Sequence, residues 1–415
     1  MREMKGSGVE WLGEVPAGWE IRQVGQLAEV VKAPNEGLAE NNLLSLSYGK
    51  IRRRDINAVD GLLPASFETY NIIQPNDIVL RFTDLQNDQK SLRVGRATER
   101  GIITSAYVTV RPHDAFRSRF IYYALHAYDL RKGFYGMGAG VRQGLKWQEA
   151  RYIRLPWPGE EEQRRIVDYL DEKCAEIDRA ISAAEQSIEE YKAYKNSVIF
   201  QAVTKGLDER AAMVDSGVEW LGDVPAGWDV VPGKRILKLL QRPVEAGDGV
   251  VTCFRDGEVT LRANRRTEGF TVALKEIGYQ GVEPGDLVVH GMDGFAGSIG
   301  ISDSRGKASP VLNVMDSDQN KRFLMYYMRG LAYRDVYMAL SDGIRVRSCN
   351  LSWKKIGNLP FALPVLDEQR RIADYLDDKC SQIDSAIAAK QAIISDLKAY
   401  KQSLIYEVVT GKREV

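Results

Sequence analysis

What the chain has little of narrows its chemistry first. Among 415 residues there are four cysteines and three histidines. Cys174, Cys253, Cys349 and Cys380 form no Cys-x-x-Cys pair, and His113, His126 and His290 are scattered, so a usual zinc cluster lacks its ligands. So sparse a set of thiols fits a reducing cytoplasm, where the chain is expected to work. No apolar run reaches the roughly 18 residues a membrane span requires. Met1-Arg2-Glu3-Met4-Lys5 lacks the apolar core of a signal segment. Net charge is missing too, since 57 basic residues balance 57 acidic ones. The whole chain is no polycation, and any contact with nucleic acid must come from local basic patches or be helped by a partner.

Catalytic signatures are also absent. The sequence has no Gly-x-x-x-x-Gly-Lys-Ser/Thr loop, no His-Glu-x-x-His, no Gly-x-Ser-x-Gly and no Asn-Pro-Pro-Tyr-like stretch. Gly136-Met137-Gly138-Ala139-Gly140 is glycine-rich but lacks the strand–turn–helix frame of a dinucleotide site, and reads as a mobile loop near a ligand. Asp171-Glu172-Lys173 and Asp377-Asp378-Lys379 mimic the tail of a nuclease core, yet fall on a helix, where they read as a solvated face. The expectation is a chain that is no enzyme, with no catalytic residue and no metal.

What the sequence does have, it has twice. Glu162-Gln163-Arg164-Arg165-Ile166 opens a stretch that runs through Asp168-Tyr169-Leu170-Asp171 to Ala193-Tyr194-Lys195. Glu368-Gln369-Arg370-Arg371-Ile372 opens its copy, ending at Ala399-Tyr400-Lys401. From Gln163 to Gln369 the offset is 206 residues. In the first copy Leu170, Cys174, Ile177, Ile181, Ala184 and Ile188 step by four and three, the seam of a coiled coil. In the second, Leu376, Cys380, Ile383, Ile387 and Ile394 repeat it, interrupted by Lys390. Neither copy contains proline, and Gly206 and Gly411 stand where each helix should end. About 42 helical residues reach roughly 60 Å, and so narrow a stripe needs a partner. The two copies are natural partners for each other.

A second repeat precedes each long helix. Ser7-Gly8-Val9-Glu10-Trp11-Leu12-Gly13-Glu14-Val15-Pro16-Ala17-Gly18-Trp19 recurs at 216–228 with Asp223 for Glu14, and reads as an apolar plug under the domain that follows. The expected division is 1–158, a first domain with its Trp/Pro motif; 159–206, the first long helix; 207–364, a linker, the second motif and a second domain; and 365–415, the second long helix.

The middles, 20–158 and 229–364, have diverged but share landmarks. Leu43–Tyr48 with Gly49-Lys50-Ile51, and Val250–Phe254 with Gly257-Glu258-Val259, read as hairpins. Gln74-Pro75-Asn76-Asp77 and Glu283-Pro284-Gly285-Asp286 each read as a turn before a buried strand. Ile103–Val110 and Ser309–Met315 read as further strands, Phe120–Leu130 and Phe323–Gly330 as helices. Each middle closes on Leu145-Lys146-Trp147 or Leu351-Ser352-Trp353. The fold class expected is α+β: two globular domains separated by two long antiparallel helices forming an intramolecular coiled coil, with an internal pseudo-twofold repeat.

Basic residues cluster at matching places in both middles. The first has Lys50, Arg52, Arg53 and Arg54 after its hairpin turn, then Lys90, Arg93, Arg96 and Arg142. The second has Arg255, Arg262, Arg265 and Arg266, then Arg305, Lys307, Arg345 and Arg347. Tyr48, Gln86 and His290 interleave with them. Arginine reads guanine and amides read adenine, while lysine and arginine on phosphates set register, so this set is the candidate DNA contact.

The doubled Trp-Leu-Gly-x-Val-Pro-x-Gly-Trp motif and the doubled block at Pro158–Asp171 and Pro364–Asp377, each leading into a long helix, resemble the specificity subunit of type I restriction–modification systems. The resemblance covers essentially the whole chain in domain order. It implies two target-recognition domains, each reading one half of an asymmetric bipartite site in double-stranded DNA. It implies that the coiled coil sets their spacing and docks two methylase subunits, and that a restriction and motor subunit joins them. S-adenosylmethionine, ATP and Mg would then belong to those partners and not to this chain. An alternative is the recognition subunit of a type IIB-like system. A bare coiled-coil scaffold for two protein ligands and a self-sufficient nuclease or methylase are the readings from other classes.

Overall fold

The computed structural model describes residues 2–57, 64, 66–85, 88, 91–137, 144–265, 268, 276–339 and 351–415. The chain forms two units, Met1–Ala184 with Ala392–Val415, and Glu185–Gln391. Each is therefore built around parts of both long helices.

In the first unit the Trp/Pro motif is a hairpin of Met4–Gly6 with Glu14–Pro16. A four-stranded antiparallel sheet follows, in the spatial order Ala28–Val30, Val108–Pro112, Ile78–Leu80, Val94–Arg96. Ile78, Val79 and Leu80 are buried on both faces. The hairpin Leu44–Ser47 with Lys50–Arg53 lies close over this sheet. Gly95 permits that approach, because a Cβ there would stand 2.5 Å from Leu46 Cδ1. Asn71–Ile73 pairs with Gly101–Ile103, and Glu20–Gln23 with Arg154–Trp157. The last pair returns the end of the middle to its start, at the foot of the long helix. A helix, Ser118–Leu130, packs on the sheet.

The second unit repeats the arrangement piece by piece. Met213–Asp215 pairs with Asp223–Pro225. The four-stranded sheet runs Lys238–Leu239, Leu312–Asp316, Leu287–His290, Ile299–Ile301. Val251–Cys253 pairs with Val259–Leu261, Gln280–Val282 with Gly306–Ala308, and Asp229–Pro232 with Pro360–Leu363. The helix here is Lys321–Tyr333, capped by Asn320, whose side chain accepts from the Phe323 amide.

Two expected strands are corrected. Ile103–Val110 is not one strand but the ends of two, because Thr104 turns the chain from one sheet to another. Its carbonyl accepts from the Tyr107 amide, and its hydroxyl from the Ala106 amide. The strand placed at Ser309–Met315 begins only at Leu312, since Pro310 lacks the amide a ladder needs and the Leu312 amide bonds back to Ser309.

The long helices are Glu160–Lys205, 46 residues, and Leu366–Val409, 44 residues. Both start the same way. Buried Gln163 donates to the Pro158 carbonyl at 2.8 Å, and buried Gln369 to the Pro364 carbonyl at 2.9 Å. This explains the glutamine of the repeated Glu-Gln-Arg-Arg. Acidic residues fill the first turns, where the helix dipole favours them. Both helices stop at a glycine in the left-handed region, Gly206 at φ 74° and Gly411 at φ 73°.

Within each unit the two helices pack antiparallel. In the first, Lys401 reaches Asp178 at 2.6 Å. In the second, Lys195 reaches Asp384 at 2.6 Å. These are the same pair in two copies, and they account for the lysine of both Ala-Tyr-Lys motifs. The expected seam is buried at Leu170, Ile177, Ile181, Ile188, Leu376, Ile383 and Ile394. Ile387, one turn before Lys390, is only half-buried. In the second unit Ile199, Val203, Ile372 and Leu376 merge with Phe323, Tyr327 and Leu331 in one core, so domain and helices share their apolar interior. No helix among the described residues is long and apolar enough to cross a membrane.

Candidate nucleic-acid interface

The hairpin of the first unit sorts its side chains by strand alternation. Leu44, Leu46 and Ile51 face inward onto Ile73, Val79 and Ile103. Ser45 opposite Arg52, and Ser47 opposite Lys50, form the other face, two hydroxyls beside two cations. At the tip Tyr48 and Gly49 both have positive φ, 46° and 77°, the type I′ geometry of a tight hairpin. Tyrosine is unusual in that conformation, and Tyr48 is 72% exposed. Arg52 and Arg54 are exposed and form no ion pair with a described residue. Lys50 is tied to Asp178 at 3.0 Å, and Arg53 is paired with Glu99. Each partner favours the other's charged state: the Glu99 carboxylate raises the Arg53 pKa, and the guanidinium lowers that of Glu99.

Other candidates in this unit serve the fold. Arg93 is corrected: it is fully buried, so it cannot touch DNA. Its guanidinium donates to the carbonyls of Thr83 at 2.8 Å and Asp84 at 3.1 Å, among others, and lies 4.9 Å from the Tyr135 ring centre. It pins the loop after Leu80 from beneath. Arg96 is half-buried and donates to Asn76 Oδ1 at 2.8 Å. Gln86, Lys90 and Arg142 lie outside the described residues, as do Gly138–Gly140.

Among the described residues of the second unit, most candidate cations are already answered by acids. Arg255 pairs with Asp293 at 3.0 Å. Arg265 pairs with Asp256 and Glu258 and lies 4.2 Å from the Phe254 ring centre. Arg305 is held by Glu245, Asp248 and Glu283. Lys307 is mostly buried against Glu276. Arg262 donates to Thr252 Oγ1. His290 accepts from the Met292 and Asp293 amides through Nδ1, and burial lowers its pKa. Arg266, Arg345 and Arg347 lie outside the described residues. On the face opposite Val251, Cys253 and Val259, this hairpin pairs half-buried Thr252 with buried Thr260, and neither carries charge. The two hairpins thus share geometry and differ in surface chemistry.

Sequence reasoning missed a clamp that each unit builds once. Arg119 bonds Asp168 and Asp171, and Tyr123 donates to Asp171 Oδ1 at 2.6 Å. Arg322 bonds Asp374 and Asp377, and Tyr326 donates to Asp377 Oδ1 at 2.7 Å. The solvated reading of Asp171 and Asp377 is therefore corrected, since both fasten a domain helix to a long helix. Burial opposes the charge on Arg119, and the Asp171 carboxylate outweighs it, raising the arginine pKa. The signal was present as a third repeat, Arg119-Phe120 with Tyr123 and Arg322-Phe323 with Tyr326. Among the described residues no group of three His, Cys, Asp or Glu is placed to hold a metal ion.

No protein-family model matches the chain. It is 20% identical over 428 aligned positions to the MjaX specificity subunit assigned to type I restriction enzymes in Methanocaldococcus jannaschii, covering 97% of this chain and 96% of that protein. It is 33% identical over 134 positions to the EcoBI type I restriction enzyme specificity subunit of Escherichia coli, a match to 32% of this chain and 27% of that protein. A solved chain from work on complex assembly and conformational transition of the type I R-M system superposes with a TM-score of 0.68 at 16% identity, covering 96% of this chain and 99% of that one. That likeness establishes a shared fold.

Proposed function

We infer that this chain is the specificity subunit of a type I restriction–modification system, a sequence-specific DNA-binding protein. The observation that carries the reading is the internal doubling: one domain architecture occurs twice, on shared long helices, with unlike side chains on the matching hairpins. Two unlike readers on one chain suit an asymmetric bipartite target, each domain taking one half-site while the paired helices set the spacing and offer the docking surface. The likeness to full-length specificity subunits supports the same reading.

The chain assembles with methylase and restriction subunits, two methylases to one chain in our proposal, matching its two units. Those partners would carry S-adenosylmethionine, ATP, Mg and the catalytic groups. The balance of charge fits this division. Phosphate neutralisation dominates affinity for DNA, and a chain of zero net charge gains from partners that close around the duplex.

The test is genome-wide methylation mapping with and without the gene. A bipartite methyladenine motif should vanish with the gene. Exchanging residues 20–158 for the corresponding middle of a relative should alter one half of that motif and leave the other intact. An unchanged methylation pattern, or both halves altered by the exchange, overturns the reading.

A further inference from the structure

Below the hairpin tip of the first unit lies a cleft of about 660 Å³, a size typical of sites for small organic molecules. Leu92, Ile181 and Ile405 give it an apolar lining. On one wall Tyr122 stacks on His126, with ring centres 5.6 Å apart and planes 19° from parallel. His126 is only 7% exposed, and its Nδ1 has no hydrogen-bond partner. A buried polar group left without a partner is costly, and nothing in the fold explains this one. Burial, aided by the charge of Lys401, lowers the His126 pKa to about 4, so the ring is neutral near pH 7 and offers one donor and one acceptor.

The mouth of the cleft has surplus positive charge. Lys50 and Lys401 share the single carboxylate of Asp178, at 3.0 and 2.6 Å. Asp171, the other acid in the lining, is taken up by Arg119 and Tyr123. Exposed Tyr48 adds an aromatic face at the rim.

The second unit carries a different side chain at the matching place. There Arg329 takes the helix position of His126, three residues after the clamp tyrosine in each copy. Its guanidinium lies against Gly257 as His126 lies against Gly49, and its Nε donates to the Ile299 carbonyl at 2.7 Å. The divergence between the copies has put an imidazole at this position in one of them and a guanidinium in the other.

We propose that the cleft of the first unit is a mononucleotide-sized site: it takes an aromatic base against Tyr122 and His126, hydrogen-bonded to the imidazole, with the phosphate at Lys50 and Lys401. The ligand is a free nucleotide or one nucleotide of a DNA strand, which offer the same chemistry. The site shares Tyr48 and Lys50 with the candidate DNA interface, and nucleotide binding is read directly, so it can fail while the proposed function stands.

Calorimetric titration of the full chain with each of the four deoxynucleoside monophosphates tests it. At least one should bind saturably, one to one, with a dissociation constant below about 1 mM. His126→Phe keeps the ring volume and removes its nitrogens, and should weaken binding roughly tenfold to a hundredfold, the worth of a hydrogen bond in a buried site. His126→Arg installs the second unit's residue and should abolish binding. If a trinucleotide displaces the monophosphate, the source is a DNA strand; if only the monophosphate binds, the source is the free pool. The proposal fails if no monophosphate binds the native chain, or if both variants bind as the native chain does.

Discussion

Asp171→Ala and Asp377→Ala make a matched experiment, because the chain holds the same clamp in two copies. Removing the Asp171 carboxylate takes the strong acceptor of Tyr123 Oη, on a residue that is 6% exposed, and leaves it only the weak bond to the Cys174 thiol among the described residues. Leaving a buried hydroxyl unpaired costs about 1–3 kcal/mol. The Arg119 pair is about a third exposed and screened, and adds about 1 kcal/mol at most. A loss of about 2–3 kcal/mol should follow, confined to one unit. Hydrogen exchange read by mass spectrometry should show Ser118–Leu130 amides exchanging roughly thirtyfold to a hundredfold faster. Lys321–Tyr333 should not change. Asp377→Ala should give the mirror result, and Asp171→Asn, which still accepts from Tyr123, should cost less than half as much. A double-mutant cycle of Arg119→Ala with Asp171→Ala should be sub-additive. Equal acceleration in both helices, or additive effects in the cycle, would refute the clamp as the tie between domain and long helix.

Further outcomes follow from the same geometry. Ile181→Asp together with Ile387→Asp places carboxylates in the helix seam, where each lost isoleucine alone forfeits up to about 1.5–3 kcal/mol; the paired helices should separate and co-purification with methylase subunits should be lost. Arg52→Ala and Arg54→Ala should each weaken DNA binding by the assembled complex and lower its salt dependence by about one ion, with thermal stability unchanged, whereas Arg93→Ala should lower the melting temperature of the unbound chain. His126 titrates near 4 in the fold against an ordinary 6.5. Its neutral form is therefore favoured by folding, and stability should be full above about pH 6.5 and fall as pH drops towards 4. His126→Phe should flatten that decline in a urea-melt series across pH.

Much of the architecture was legible because it is local or duplicated. The four-and-three stepping of the seam, the glycines that stop each long helix and the hairpins around Gly49 and Gly257 all depend on a few neighbouring residues. Repetition supplied the rest, since a motif kept in both halves marks a demand that the fold makes twice. Apart from the strand start beyond Pro310, which the proline itself marks, the misreadings are non-local. Nothing near Arg93 distinguishes a cation under a loop from one on the surface, because its acceptors are backbone carbonyls gathered by tertiary folding. Asp171 faces away from the seam, and the sequence does not reveal that Arg119 comes to meet it. Thr104 ends a strand because the next one belongs to another sheet, a fact of topology and not of propensity. The charge balance of the second unit was likewise invisible: Arg305 was read as a contact for DNA, while its three acids, Glu245, Asp248 and Glu283, lie 60, 57 and 22 positions away in the chain.

The first unit takes part of its core from residues 392–415, far along the chain, whereas the second is one continuous stretch. Around the first Trp/Pro motif, Lys412 Nζ donates to the Leu12 carbonyl, Tyr406 to that of Trp11, and Gly411 sits against Pro16 and Trp19. Damage near residue 410 would therefore be felt by the domain that begins the sequence, whereas residues 207–364, closer by number, would be spared. Ribosomal synthesis has the same constraint, for the base around Trp11 and Leu12 is sealed only once the helix Leu366–Val409 has been made.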